Sequence, residues 1–342
     1  MLILLILGAL SLCALCFLCT AAFYSASFDP SYYKDLRTTS GLDLEYSGGD
    51  ENSSNKILVI PIQGVILNEK PDDLIAFLST DVTYGYEVKN ILVEAAQDDS
   101  IKGVVLAIDS PGGTVTGSKA ISDGVENYKA MTNKPVVAHI MGMGASGGYW
   151  SAVAADHIIA DSGSLIGSIG VIFGPFKYYQ EVTAESSGGE SIATDGGIET
   201  YYITSGEYKD FGNPYRVMTD VEKQIMQEDT DAVYEEFVQY VSSRRNITVA
   251  NVKSQIKGLP YGNERALELN LIDANGPKED AYSYLTQELG LGSDYQIVKV
   301  FEEVDFWDLF FSALGKDQNV SVSADYIGSE LNNKLLFYYG NP

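Results

Sequence analysis

Met143-Gly144-Ala145-Ser146-Gly147-Gly148-Tyr149 joins an apolar run, Pro135 to Met143, to a helix-like run, Tyr149 to Ala155. A serine at such a strand-to-helix junction sits at a helix N-terminus. Unpaired backbone N–H groups and the helix dipole favour negative charge there. An oxyanion would be stabilised at that point if Ser146 attacked a carbonyl. Small neighbours admit a substrate backbone at close range. A Gly-rich packing turn with an N-cap serine would read the same way, so the chemistry stays open on this stretch alone.

Outward from it, short buried strands alternate with helices. Ile57 to Ile62, Gly103 to Ile108, Pro135 to Ile140 and His157 to Ala160 read as strands, and Gly167 to Phe173 as strand-like. Tyr86 to Ala96 and Ser118 to Met131 read as helices, the first with Val88, Ile91, Leu92 and Ala95 on one face. This alternation predicts an α/β fold with largely parallel pairing. Thr219 to Ser243 predicts a long amphipathic helix with Thr219 as N-cap and a stripe of Val221, Ile225, Ala232, Val233, Phe237 and Val241. Val249 to Lys257 and Asn263 to Leu269 predict two shorter helices. From about Val304 an aromatic piece (Phe306, Trp307, Leu309, Phe310, Phe311) and Leu335 to Tyr339 are expected on the body, a neighbour or the membrane surface.

The 342 residues suffice for a sizeable core, and 45% hydrophobic content is not a disordered composition. A net charge of −25 argues against nucleic acid as a partner. Leu2 to Tyr24 is an apolar run of 23 residues, and no acidic or basic residue precedes Asp29. At about 1.5 Å per residue it spans a hydrocarbon core of about 30 Å. A cleaved signal peptide needs a basic start and a small-residue cleavage site; the first is missing here and Thr20-Ala21-Ala22 is a weak version of the second. Residues 1–24 are therefore expected to be a single transmembrane anchor. The polar residues 25–56 are expected to be a flexible linker. Cys13, Cys16 and Cys19, the three cysteines of the chain, all lie in the apolar run and read as buried thiols rather than metal ligands. No metal or cofactor is expected.

A nucleophilic serine needs a base. His139 and His157 both lie in buried strands, away from the strand tips, and suit core packing better than catalysis. A Ser-Lys pair is the alternative, and it requires a lysine that is neutral near pH 7. Lys209 lies in Thr204-Ser205-Gly206-Glu207-Tyr208-Lys209-Asp210-Phe211-Gly212, after a strand-like Thr200 to Ile203 and with no other cation within five residues. Spacing alone favours a surface lysine salt-bridged to Asp210.

Ser110-Pro111-Gly112-Gly113, Gly144 to Tyr149, Gly167-Ser168-Ile169-Gly170-Val171 and Ser205 to Asp210, in this order and spacing, resemble the short form of the bacterial signal peptide peptidase A family, peptidase family S49. The likeness covers residues 57 to about 290, with an anchor before it. It implies a Clp-protease/crotonase-like fold of repeated ββα units for a peptidase domain at 57–290, followed by a C-terminal tail at 291–342. It implies Ser146 as nucleophile, Lys209 as general base, Ser168 as the serine that orients the lysine, and Gly113 and Gly147 as oxyanion N–H donors. It further implies cleaved signal peptides and other apolar unstructured peptides as substrates, a homo-oligomeric ring in which neighbours share the dyad, and a catalytic body outside the cytoplasm. Lys34 and Arg37, just after the anchor, favour the opposite orientation by charge alone. The chain departs from the family's pattern at Asp109, where Asn is commoner, in its missing basic start, and in the Gly/Ser/Thr-rich stretch Thr183 to Gly197. A crotonase-type acyl-thioester enzyme and a catalytically silent membrane scaffold are the rival functions.

Overall fold

The computed structural model describes residues 41–70, 82–180, 184–187, 190–193, 197–301 and 336–338. The expected anchor, residues 1–24, and the aromatic piece Phe306 to Phe311 lie outside them. Among the described residues no helix is long and apolar enough to cross a membrane.

In chain order the elements are β1 (Leu44–Gly49), β2 (Lys56–Leu67), β3 (Val82–Tyr84), α1 (Gly85–Ala95), β4 (Ile101–Thr114), α2 (Val115–Thr132), β5 (Val136–Ala145), α3 (Gly147–Val153), β6 (His157–Ala160) and β7 (Leu165–Gly167). There follow β8 (Ala184–Ser187), β9 (Glu190–Ala193), α4 (Asp220–Arg245), α5 (Val249–Asn251) running into a π-turn (Val252–Ile256), β10 (Pro260–Gly262), α6 (Asn263–Glu268), β11 (Ala274–Asn275), α7 (Lys278–Glu288), β12 (Gln296–Val300) and β13 (Leu336–Tyr338). The main sheet runs β1-β12-β2-β4-β5-β6-β11. Every neighbouring pair on that path is parallel except β1 with β12, so the fold is α/β with a largely parallel sheet.

Its central strands are apolar on both faces, as strands covered on both sides must be. Leu58, Ile60, Ile62, Leu106, Ile108, Ala138 and Ile140 face one core, with residues of α1 to α4. Ile57, Val59, Val105, Ala107, Val137 and Ile159 face the other, closed by Ala281 and Leu285 of α7.

Several elements differ from the sequence expectation. Of the run Gly167 to Phe173 only Gly167 lies in a regular strand, as the last residue of Leu165–Gly167, and Thr200 to Ile203 is not strand at all. Residues 44–49, within the expected linker, form edge strand β1 on β12. The Gly/Ser/Thr-rich stretch holds a two-stranded hairpin, β8 with β9. Helix α4 begins as expected at Thr219, whose hydroxyl accepts the Glu222 N–H while the Glu222 carboxylate accepts the Thr219 N–H. Its apolar stripe is divided: Phe237, Val238 and Val241 are buried, whereas Val221 and Ile225 are exposed.

Candidate active site

β5 ends at Ala145 and α3 begins at Gly147, which leaves Ser146 as the N-cap at φ 53°, ψ −117°. A side-chain-bearing residue in such a conformation costs about 1–3 kcal/mol and persists only where its surroundings fix it. They do so here. The Ser146 N–H donates to the Gly167 carbonyl at 2.7 Å, and its carbonyl accepts the Trp150 N–H at 2.9 Å. Trp150 is clamped in turn: its indole N–H donates to Ser122 Oγ at 3.0 Å, and its ring packs 4.6 Å from Phe237 and 5.1 Å from Tyr240 of α4. Ser146 is only 1% exposed.

The last residues of β4 lie beside it. β4 pairs with β5 through Ser110 opposite Gly144. A Cβ on Gly148 would come within 2.7 Å of the Ser110 carbonyl oxygen, so the first turn of α3 rests directly on this bend. At Gly113 a Cβ would stand 1.9 Å from the Ile66 carbonyl oxygen; only glycine lets β4 lie that close to β2. Ser110 Oγ braces the bend, donating to the Gly64 carbonyl at 2.6 Å and accepting the Gly112 N–H at 3.1 Å. Asp109 ties the two strands together, its Oδ1 accepting the Met143 N–H at 2.9 Å. Gly113 and Gly147 thus belong to the same end of the sheet, and the Gly147 N–H is one of those a helix start leaves unpaired within the helix.

Because β5 turns into α3 at this point, the end of β4 has no neighbour from β5. Strand β13 fills the gap. It runs antiparallel to β4, with Leu336 opposite Thr114, Phe337 opposite Gly113 and Tyr338 opposite Gly112. Of the three places expected for the tail, the structure puts this segment on the body.

Ser168 follows β7 directly, at φ 51°. It is nearly buried. Its N–H donates to the Leu259 carbonyl at 3.0 Å and its hydroxyl to the Gly258 carbonyl at 3.4 Å. The preceding residue, Gly167, supplies the carbonyl that holds Ser146, so the two serines adjoin.

Lys209 lies in a loop between β9 and α4. Its loop packs Phe211 against Phe173 and Phe176 at 6.3 and 5.1 Å, and Asp210 accepts both prongs of the Arg216 guanidinium at 2.7 and 2.8 Å. Arg216 also donates to Glu222 at 2.9 and 2.6 Å. The loop is thereby fastened to the first turn of α4. Fifteen residues of helix separate Glu222 from Phe237, the point where α4 meets Trp150, a rise of about 22 Å. Among the described residues the exposed Lys209 amine has no hydrogen-bond or ion-pair partner, in particular neither Ser146 nor Ser168. The alternative reading of Lys209 as the salt-bridge partner of Asp210 is overturned, because Arg216 takes that carboxylate.

Both histidines are packing residues. His139 is buried, its Nε2 is 3.2 Å from the Gly276 carbonyl, and burial lowers its pKa. It lies seven residues before Ser146, about 23 Å along an extended strand. His157 stacks on Tyr284 at 4.0 Å, its pKa again lowered by burial. Among the described residues no group of three or more His, Cys, Asp or Glu could hold a metal ion.

The Clp protease family model matches residues 69–160, which include Gly113, Ser146 and Gly147. The peptidase family S49 model matches residues 129–292, which include Ser146, Ser168 and Lys209. A protease-named chain of Synechocystis sp. is 31% identical over 237 residues, 69% of this chain and 80% of that one. The chain belongs to peptidase family S49. A protease-named chain of Methanocaldococcus jannaschii is 35% identical over 198 residues, 58% of this chain and 60% of its own length. A chain of Enterococcus faecium named for signal peptide peptidase SppA is 28% identical over 243 residues, 70% of this chain and 65% of its own. The match thus spans less than two thirds of those last two relatives. Sequence reading of this S49 chain missed the Arg216–Glu222 anchor, although Glu222 three residues after Thr219 is a legible capping-box signal. It also missed the pairing of residues 336–338 with β4, which no local pattern announces.

Proposed function

We propose that this S49 chain is a membrane-anchored serine endopeptidase in which Ser146 is the nucleophile and Lys209 the general base. Its substrates are remnant signal peptides and other apolar, unstructured peptides. The observation that carries the reading is the setting of Ser146: a strained, fixed serine at a helix start, beside a strand end that already accepts an extended peptide. That peptide, Leu336-Phe337-Tyr338, is apolar in sequence. The name of the Enterococcus relative supports the substrate class.

Neutral Lys209 takes the Ser146 proton as Oγ attacks the peptide carbonyl, and the N–H groups of Gly113 and Gly147 hold the resulting oxyanion. The ammonium then protonates the leaving amine. Water, deprotonated by the same lysine, releases the acyl group from Ser146. Ser168 orients the amine.

A neighbouring copy supplies Lys209, in a homo-oligomeric ring. Two features support this. The lysine loop is fastened to the end of α4 remote from Trp150. In the segments before and after it in sequence, Ile172, Tyr178, Tyr201, Ile203, Val217 and Val221 are each exposed, and exposed apolar residues of this kind are what an interface covers. Residues 1–24 anchor the assembly, with the catalytic body outside the cytoplasm.

The test is cleavage of an internally quenched apolar peptide by the full chain, by Ser146→Ala, by Lys209→Ala and by the two variants mixed. Both variants are expected to be inactive and their mixture to recover activity. An active Lys209→Ala would remove the base assignment. Recovery failing in a mixture shown to co-assemble would remove the sharing.

A further inference from the structure

Helix α3 is seven residues long, and its first turn carries Ser146 as N-cap and the Gly147 N–H. Consecutive residues of a helix point about 100° apart, so three in a row can be held from three directions. Gly148 rests on the Ser110 bend and Trp150 is clamped by α2 and α4. The third direction belongs to Tyr149. Its ring is fully buried, and its hydroxyl donates to the Leu271 carbonyl at 2.7 Å, 122 residues away in sequence. Burial raises the Tyr149 pKa, so the hydroxyl remains a donor at any working pH.

Leu271 lies in the turn between α6 and β11, and Arg245, the last residue of α4, staples that turn. The Arg245 guanidinium donates to both Asp273 carboxylate oxygens at 2.8 and 2.9 Å and to the Asn270 carbonyl at 3.0 Å. Asp273 also accepts the Ile158 N–H at 2.8 Å, which joins the turn to β6. Such a fork grips a carboxylate and a carbonyl in one fixed geometry, which an ammonium does not reproduce. The turn in its place meets the nucleophile by a second route. Leu271 Cδ1 stands 3.4 Å from where a Cβ on Gly167 would be, and the Gly167 carbonyl holds the Ser146 N–H. We propose that Tyr149 and Arg245 are positioning residues for Ser146: Arg245 fixes the turn at Leu271, and that turn fixes α3 through the Tyr149 hydroxyl and β7 through Gly167. This rests on Ser146 being the nucleophile and Gly147 an oxyanion donor. Neither Tyr149 nor Arg245 touches the reacting atoms; they set the direction of Oγ and of the Gly147 N–H.

The test is kcat and KM for cleavage of an internally quenched apolar peptide by the full chain, with melting temperatures measured alongside. Tyr149→Phe removes one hydroxyl and keeps the ring. It is expected to lower kcat about tenfold or more and to leave KM within about twofold, since small misplacements of a reacting group act on the transition state. Leu285→Ala, in the core on the opposite face of the sheet, is the stability control, expected to melt lower and keep its kcat. Arg245→Lys is expected to lower kcat in the same manner, and the double variant to be no slower than the slower single, because both act through one turn. A normal kcat in Tyr149→Phe, a kcat loss in Leu285→Ala that matches its melting shift equally well, or losses that multiply in the double variant each overturn the proposal. If Arg245→Lys melts below the assay temperature, Asp273→Asn takes its place in the cycle. Ser146→Ala in the same assay separates the two failures. If it is inactive while Tyr149→Phe is normal, only the positioning role falls. If it is active, the nucleophile assignment falls and the positioning role with it.

Discussion

The hydrogen at Cα of Gly113 does a job no methyl could. A Cβ there meets the Ile66 carbonyl oxygen at 1.9 Å, and the clash is with backbone, which cannot rotate aside. Gly113→Ala must push β4 away from β2 at the proposed oxyanion donor. Such overpacking costs roughly 1–3 kcal/mol of stability. Loss of one donor costs a factor of about 10² to 10³ in kcat. The variant should therefore stay largely folded by circular dichroism yet lose at least about 100-fold in kcat. A folded variant with near-normal kcat would exclude Gly113 from the oxyanion site. Ser146 shows the reverse case, a residue kept in a costly conformation because hydrogen bonds on both sides, to Gly167 and from Trp150, leave it no other.

Helix α4 runs from the Lys209 loop, which Arg216 ties to Glu222, to Phe237 and Tyr240 against Trp150. Its C-terminal half is held by burial, with Phe237, Val238 and Val241 each contributing about 1.5–3 kcal/mol. Its N-terminal half has little burial and depends on polar contacts at Thr219, Glu222 and Arg216. Thr219→Ala removes a cap and one Glu222 partner, and should lower stability by about 1 kcal/mol. It should also lower activity at neutral pH, because the lysine loop hangs on that first turn. An unchanged melting temperature together with unchanged activity would show the first turn to be dispensable. The Arg216 guanidinium and the Thr219 hydrogen bonds lower the Glu222 pKa from 4.5 to about 2. Its stabilising effect is complete above about pH 4.5 and is lost as pH falls toward 2. Local pattern made much of this legible. Apolar runs exposed β2, β4, β5 and β6, and Thr219 announced the start of α4. The strand-like pieces at Gly167–Phe173 and Thr200–Ile203 misled because Gly and β-branched residues there serve turns and extended loop, not ladders. Strands β1, β12 and β13 escaped notice because each is short and acquires its form from a partner far away in sequence.

Over the whole molecule, the end of β4 at Gly112–Thr114 runs past its pairing with β5, and the chain's own residues 336–338 pair with it. A peptide substrate that uses this edge must displace them. Deleting residues 336–342 should lower KM several-fold and leave kcat nearly unchanged, since competition for the edge is removed and the reacting groups are not. A truncated chain with unchanged KM and a lowered melting temperature would show β13 to be a brace instead. Because the segment is tethered to the body it covers, its effective concentration at the edge is set by the chain between them and not by the protein concentration. Dilution cannot relieve it. Stray extended segments of folded neighbours, present at low local concentration, would lose that contest, while peptides crowded together in the plane of a membrane could win it.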